Sequence, residues 1–328
     1  MPAYPRVETE AKHLLDERPQ LETDRWSEWL LHGRYADDPA YERVVRSVVA
    51  RVADRVLQDA RLSPGATLVD VGAGEGLVAF RAIERVGPSI RVVLVDISAP
   101  MLRHSAVIAA RRGIESQCKF IGCSAERLVG IADSTIDVVT ARAAVAYVAD
   151  KKAAFAEFHR VLKPGGRISI AEPVLQDEAF FVRALKVRLA AEPKGREDRF
   201  SMLLHRWKAL QFPDTEEEQS KNPLVNYSER DLVTWARGAG FAEIHLQLCI
   251  DIVPSVVTSW EVFLGCSPHP NAPTLRTVLA EHFSPEERDF FVGNLRPLVE
   301  SGKHVTTDRI VYLNAVKPAP CPLFSPWP

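Results

Sequence analysis

The 328-residue sequence predicts a doubly wound α/β fold around a mostly parallel, seven-stranded sheet. Three observations predict it. From Ala66 onward, short continuous apolar runs alternate with amphipathic stretches, the pattern of strands buried on both faces and covered by helices. The first run passes straight into a glycine-rich turn, LVDVGAGEGLVAF, where a strand would hand over to a helix. After an interruption, the helix-then-strand pattern resumes towards the C-terminus and supplies the last strands.

Before the alternation, the first sixty or so residues read as helical. Asp24 to Leu31 (DRWSEWLL) is one candidate. Tyr41 to Leu57 is another, because Val44, Val45, Val48, Val49, Val52 and Val56 recur at three and four residues, a period that outweighs the reluctance of β-branched side chains. Between them Gly33 and Pro39 punctuate, and Asp38 is placed to cap the second helix. The strands that follow are TLVDV (67–71), RVVLVD (91–96), CKFIG (118–122), IDVVTA (136–141) and RISIAE (167–172), and the clearest helices between them are Ala99 to Arg112 and Lys151 to Leu162.

After Pro173 two helices are expected, Glu178 to Ala191 and Arg199 to Phe212, and the acidic PDTEEEQSKNP then reads as a solvated loop. Ser228 opens the next helix, with Asp231 completing an acidic variant of the capping box and Gly240 ending it. A strand over 242–253 follows, then a second insertion containing SPEERDFFVGNL, where Ser284 caps and Pro285 takes the first turn. The last strand is expected over Asp308 to Val316, before a proline-rich tail, KPAPCPLFSPWP.

Composition excludes several classes of function. With 46% apolar and 26% charged residues the chain can build an ordinary core. Its 41 basic and 43 acidic residues give a net charge of -2, so the positive field of a nucleic-acid binder is missing. The five cysteines (Cys118, Cys123, Cys249, Cys266, Cys321) are scattered, with no C-x-x-C pair and no histidine at ligand spacing, so neither a metal site nor a disulfide framework is expected. Free thiols point to a reducing cytoplasm, and no run of apolar residues is long enough for a membrane span or a leader.

The glycine loop carries the chemistry. At a strand-to-helix turn glycines admit unusual dihedrals and close approach of a ligand, while helix N–H groups face that ligand, so a nucleotide-like group is implied. In dinucleotide-binding oxidoreductases a third glycine lies three residues past the second; here that position is Leu77 and the third glycine is Gly76. The G-x-G-x-G pattern preceded by Asp70 instead resembles the first motif of class I S-adenosylmethionine-dependent methyltransferases. Further segments extend the resemblance. VVLVDIS puts Asp96 at a strand end, where such enzymes hold the ribose hydroxyls, with Ile97 against the adenine. FIGCSAERL resembles the segment that reads the adenine edge, with Ser124 and Ala125 at the reading positions, Ser124 standing where the family usually has Asp. IDVVTARAAVAYV resembles the fourth-strand motif, whose end, at Ala141, lies beside the methionine part. FAEFHRVLKPGGRISIAEP resembles the ubiquinone-biosynthesis-like small-molecule group.

The resemblance implies a Rossmann-like methyltransferase fold, S-adenosyl-L-methionine as cofactor, and binding by Asp70, Gly72, Ala73, Gly74, Gly76, Asp96, Ile97, Ser124, Ala125 and Ala141. It divides the chain into an N-terminal helical lid (1–60), a cofactor-binding core (61–175), an insertion capping the acceptor pocket (176–226), a core helix and strand (227–253), a second insertion (254–303), a final core strand (304–317) and the tail (318–328). The implied partner is a small-molecule methyl acceptor with an O, N or S nucleophile, and the assembly could be a homodimer. The competing readings are a non-catalytic or non-methylating binder of the same cofactor and, against Leu77, a nicotinamide-dependent oxidoreductase.

Methyl transfer needs positioning and exclusion of water more than an acid, and a base only for a hydroxyl or protonated amine. Acceptor-side candidates lie at strand ends on the C-terminal edge of the sheet: Arg142, Tyr147 and Glu172. For His104 and His159 a surface or packing role is favoured over catalysis, and for His205 a solvated helix face. His32 and Tyr35 sit in a segment that could close over the cofactor. Trp26 and Trp29, three residues apart, share a helix face and read first as packing, or as the underside of a lid.

Overall fold

A computed structural model describes residues 23–193 and 198–319. The described residues open with α1 (Arg25–Glu28), which widens into a π turn at Trp29–Gly33, and continue into the long α2 (Pro39–Ala60), capped as expected by Asp38. Then come β1 (Thr67–Val71), α3 (Leu77–Val86), β2 (Arg91–Asp96), α4 (Ala99–Arg111), β3 (Cys118–Gly122), β4 (Ile136–Arg142), α5 (Lys151–Val161) and β5 (Leu162–Pro173). The remainder is α6 (Gln176–Ala190), α7 (Arg199–Ala209), α8 (Glu216–Lys221), α9 (Glu229–Gly238), β6 (Ala242–Pro254), α10 (Trp260–Gly265), α11 (Leu275–Glu281), α12 (Pro285–Glu300) and β7 (Val305–Val316).

The seven strands form one sheet in the order β3-β2-β1-β4-β5-β7-β6. The first five are parallel, and β7 runs antiparallel between β5 and β6. The chain builds outward from β1 in one direction and then restarts at β4 on its other side, so the strand order reverses between β1 and β4. In open sheets of this kind the crevice at the C-terminal ends of those strands is where ligands bind.

Strand alternation decides what each face buries. Val69 and Val71 of β1 and Val93 and Val95 of β2 point into a core with Phe155, Phe158, Tyr227 and Leu232, while Leu68, Val92 and Leu94 point into the other with Leu57, Phe80 and Ile83. A third cluster joins the two insertions: Leu203 and Trp207 of α7 pack with Trp260, Leu275, Val278 and Phe291.

The structure departs from the sequence reading at three places. The acidic TEEEQ segment is helical: Thr215 accepts the Glu218 N–H at 3.2 Å as a cap, and three glutamates in the first turn suit the positive end of the helix dipole. In α2 only the C-terminal end of the valine stripe reaches the core: Val56 is buried and Val52 packs against it, whereas Val44 is exposed, and Ala53, Leu57 and Ala60 complete the core side. Finally, β5 starts at Leu162, so the KPGG turn lies inside the strand, and its pairing with β4 shifts register between Ile136 and Val138. The proline-rich tail from 320 onward and residues 1–22 lie outside the described residues.

Candidate active site

Beyond β1, Gly72, Gly74 and Gly76 take positive φ values of 67°, 53° and 81°. At two of them a side chain has no room: a Cβ on Gly72 would stand 2.3 Å from the Ala144 Cβ, and one on Gly76 2.4 Å from the Phe80 ring. The Gly72 and Ala73 N–H groups donate to the Val95 carbonyl at 2.8 and 3.0 Å, tying the loop to β2. The Gly74 N–H turns instead to the Asp96 Oδ2 at 2.8 Å, and Oδ1 accepts the Ser98 N–H at 2.9 Å. Each oxygen keeps a further lone pair for a ligand hydroxyl. Burial pushes the Asp96 acid above its usual range, against the pull of the Ser98 and Gly74 donors. Ile97 follows at the rim, 58% exposed.

Three of the residues assigned to the cofactor have other employment. Asp70 is enclosed, accepting the Thr140 hydroxyl at 2.9 Å and the Ala79 N–H at 3.3 Å, so its carboxylate braces β1 against β4 and the start of α3 from behind the loop. Burial raises its acid to about 7. The Ala141 side chain is buried in register with Val71 and Ile170. Ser124 donates its hydroxyl to Glu126 Oε2 at 3.0 Å and accepts the Glu126 N–H at 3.2 Å, with Ala125 buried next to it.

On the far side of the crevice β4 ends at Arg142. Ala143 takes a positive φ of 51°, and the chain turns through a short 3-10 segment, Val145–Tyr147. Glu172, fully buried at the end of β5, accepts the N–H groups of Ala144, Val145 and Ala146 at 3.2, 3.1 and 2.9 Å. One carboxylate thus holds the whole turn that presents Tyr147, a positioning arrangement that leaves it no free path to a ligand proton. Burial raises the Glu172 acid to about 7 against those donors, and raises the Tyr147 phenol to about 12. Arg142 is deep yet keeps solvent contact, as a side chain on the floor of a cleft does. Burial pushes its guanidinium pKa down, and the neighbouring Arg34 charge acts the same way.

The N-terminal segment covers this crevice. Asp24 caps α1 through the Trp26 and Ser27 N–H groups at 3.0 and 2.8 Å. The Trp26 ring meets Tyr147 edge-on at 5.0 Å, and Leu30 Cδ1 comes within 3.7 Å of where a Gly74 Cβ would lie. Outward, the Trp29 indole donates to the Ser267 carbonyl at 3.1 Å and Arg25 to Asn271 at 3.2 Å. Tyr35 is buried at 2% exposure.

Residues 62–218 match the family described as "Methyltransferase domain". The matched stretch takes in β1 to β5, α6, α7 and the start of α8. The chain is 42% identical over 123 residues to nocamycin O-methyltransferase of Saccharothrix syringae, covering 38% of this chain and 43% of that one. It is 38% identical over 113 residues to the ubiquinone/menaquinone biosynthesis C-methyltransferase UbiE of Xanthomonas oryzae, covering 34% and 44%. The chain therefore spans less than half the length of these curated relatives. The YcgJ protein of Bacillus subtilis shares the fold, with a TM-score of 0.51 at 18% identity over 82% of this chain and 98% of that one.

His159, His205 and His32 lie apart from the glycine loop and the strand ends. His159 packs edge-on against Phe241 at 5.2 Å. His205 faces Asp214 at 3.1 Å in a surface cleft of about 610 Å³ lined also by Leu189, Met202, Leu210 and His282, none of them on the glycine loop or a strand end. His32 pairs with Asp37 at the surface at 2.8 Å. Residues the sequence reading missed are Asp24, Leu30 and Arg34; the one signal for Arg34 was its place beside Tyr35 in the segment between the first two helices. Among the described residues no helix is long and apolar enough to cross a membrane, and no group of three or more His, Cys, Asp or Glu is placed to hold a metal ion.

Proposed function

We propose that this chain transfers the methyl group of S-adenosylmethionine to a small-molecule acceptor with an O, N or S nucleophile. One observation carries the reading: the Asp96 carboxylate, at the end of β2, is bonded to the Gly74 N–H of the glycine-rich loop that follows β1, at the point where the strand order reverses. The residues present fit the cofactor. At Gly72, Gly74 and Gly76 the loop offers backbone in place of side chains, Asp96 has lone pairs for two ribose hydroxyls, and Ile97 offers an exposed apolar face to an adenine.

Bound there, S-adenosylmethionine would supply a methyl group on a sulfonium, open to in-line displacement by an acceptor lone pair. What the chain supplies is placement and dryness. Glu172 fixes the Val145–Tyr147 turn, Tyr147 and Trp26 wall the acceptor side, and α1 with its π turn shuts out water, which strengthens every polar contact inside. The relatives act at oxygen and at carbon by their names, so likeness leaves the acceptor atom open. The four described cysteines are free thiols, which supports a cytoplasmic setting.

Titration calorimetry with S-adenosylhomocysteine should show one site per chain. Asp96→Ala should weaken it more than tenfold, about 1.4 kcal/mol, through loss of the ribose contacts. An unmoved affinity in the variant, or no binding by the native chain, would sink the reading.

A further inference from the structure

Lys151 is only 4% exposed, at a place that works against a cation. It is the first residue of α5, where the helix dipole is positive, and burial pushes its ammonium down to about 8, against the pull of Glu172 and Glu126. Its compensation is specific. Nζ donates to the Val148 carbonyl at 2.9 Å and to the Pro223 carbonyl at 2.7 Å, and it stands 4.7 Å from the centre of the Tyr227 ring and 6.0 Å from that of Trp235. An apolar side chain of the same length would fill this space with no charge to desolvate. What the ammonium adds is direction: it fixes where two carbonyls of separate segments stand.

Val148 closes the turn that presents Tyr147, its N–H returning to the Val145 carbonyl at 3.0 Å. Pro223 and Tyr227 lie where the first insertion returns to the core, ahead of α9. The Tyr227 hydroxyl donates in turn to the carbonyl of Pro173, the residue at which the insertion leaves β5. Pro173 follows Glu172, whose carboxylate holds the other end of the same turn through the N–H groups of Ala144, Val145 and Ala146. The contacts close a ring: from Glu172 through the turn to Val148, through Lys151 to Pro223 and Tyr227, and from Tyr227 back to Pro173. Tyr227 has no exposed surface and Lys151 almost none, so water is not at hand to replace these bonds.

The two ends of the turn have different neighbours. At the Glu172 end, Ala144 is the residue that leaves no room for a side chain at Gly72. At the Lys151 end, Tyr147 meets the Trp26 ring. Loss of the Lys151 contacts therefore frees the tyrosine and spares the glycine loop. We propose that Lys151 is a positioning residue for the acceptor side of the crevice: it ties both roots of the first insertion to the turn that carries Tyr147, so that the insertion and the tyrosine hold one relative position. The acceptor-side role rests on the methyl-transfer reading above; the coupling of insertion to turn stands without it.

The test uses the full chain with isotope-labelled tyrosine rings, the Tyr147 NMR signal being assigned by Tyr147→Phe. Trp26→Leu removes the edge-on ring and marks where that signal lies when the contact is lost. Lys151→Met keeps the length and removes the donors; it should move the Tyr147 signal most of the way to that mark while leaving S-adenosylhomocysteine affinity within about threefold. Tyr227→Phe, which deletes only the hydroxyl on Pro173, should move it in the same direction by less. Ile83→Ala, a cavity in the opposite core, should lower the urea midpoint and leave the Tyr147 signal in place. An unmoved Tyr147 signal in Lys151→Met, or an equal displacement in Ile83→Ala, overturns the proposal; should Lys151→Met not fold, Tyr227→Phe decides by the same criterion. Failure of the native chain to bind S-adenosylhomocysteine would instead overturn the methyl-transfer reading, and the Tyr147 signal of the unliganded chain would still decide the coupling.

Discussion

Glu172→Ala should destabilise the protein by about 4 kcal/mol, because it strips the acceptor from three backbone N–H groups at once in a site with no solvent to replace it. Glu172→Gln keeps one oxygen and should cost about half as much. The pH dependence separates the carboxyl from mere volume. The Glu172 acid is raised from 4.5 to about 7 on folding, so its stabilising share is complete below pH 4.5 and is lost as pH rises through about 7. At full effect that is about 3 kcal/mol. Asp70, also raised to about 7, acts in the same direction, so the Gln variant should keep part of the slope and lose the Glu172 part. Urea unfolding of both proteins between pH 4.5 and 8 checks this; parallel curves would show that Glu172 does not titrate in that window.

Gly72→Ala should abolish measurable cofactor affinity, a loss of at least about 100-fold, or 2.7 kcal/mol. The new methyl group would lie 2.3 Å from the Ala144 Cβ, and the φ of 67° adds roughly 1–2 kcal/mol for any residue with a Cβ. Ala144 cannot retreat freely, since its N–H is held by Glu172. The double variant Gly72→Ala with Ala144→Gly removes the collision and keeps the dihedral strain, so it should recover part of the affinity. Equal affinities for the single and double variants would mean that the steric contact is not what matters.

Much of the fold was legible because its signals are local. The runs at 67–71, 91–96 and 118–122 are strands at those residues, and Asp38, Ser228 and Ser284 cap the helices assigned to them. The glycine loop was legible for the same reason: its dihedrals and its spacing from Asp96 are written in one stretch. The far side of the crevice was legible only in part: Arg142, Tyr147 and Glu172 stand out as strand-end residues, but the contact of Trp26 with Tyr147 arises from tertiary packing that nothing near either residue announces. Glu172 looked like a candidate base from its strand-end position, but its function depends on where three N–H groups of another loop point. The TEEEQ helix was hidden by composition, since a run of acids reads as solvated unless the cap at Thr215 and the buried Gln219 are weighed.

The contacts of the N-terminal segment set a clock as well as a wall. Leu30 sits over Gly74, Trp26 against Tyr147, and Trp29 and Arg25 are fastened to Ser267 and Asn271 in the second insertion. A molecule held beneath that segment would leave faster when it swings away, so residence time should depend on how quickly these few fastenings break. Weakening the Ser267 or Asn271 attachment would then shorten residence without altering the bond-making step, and turnover limited by exit would slow in a more viscous solvent.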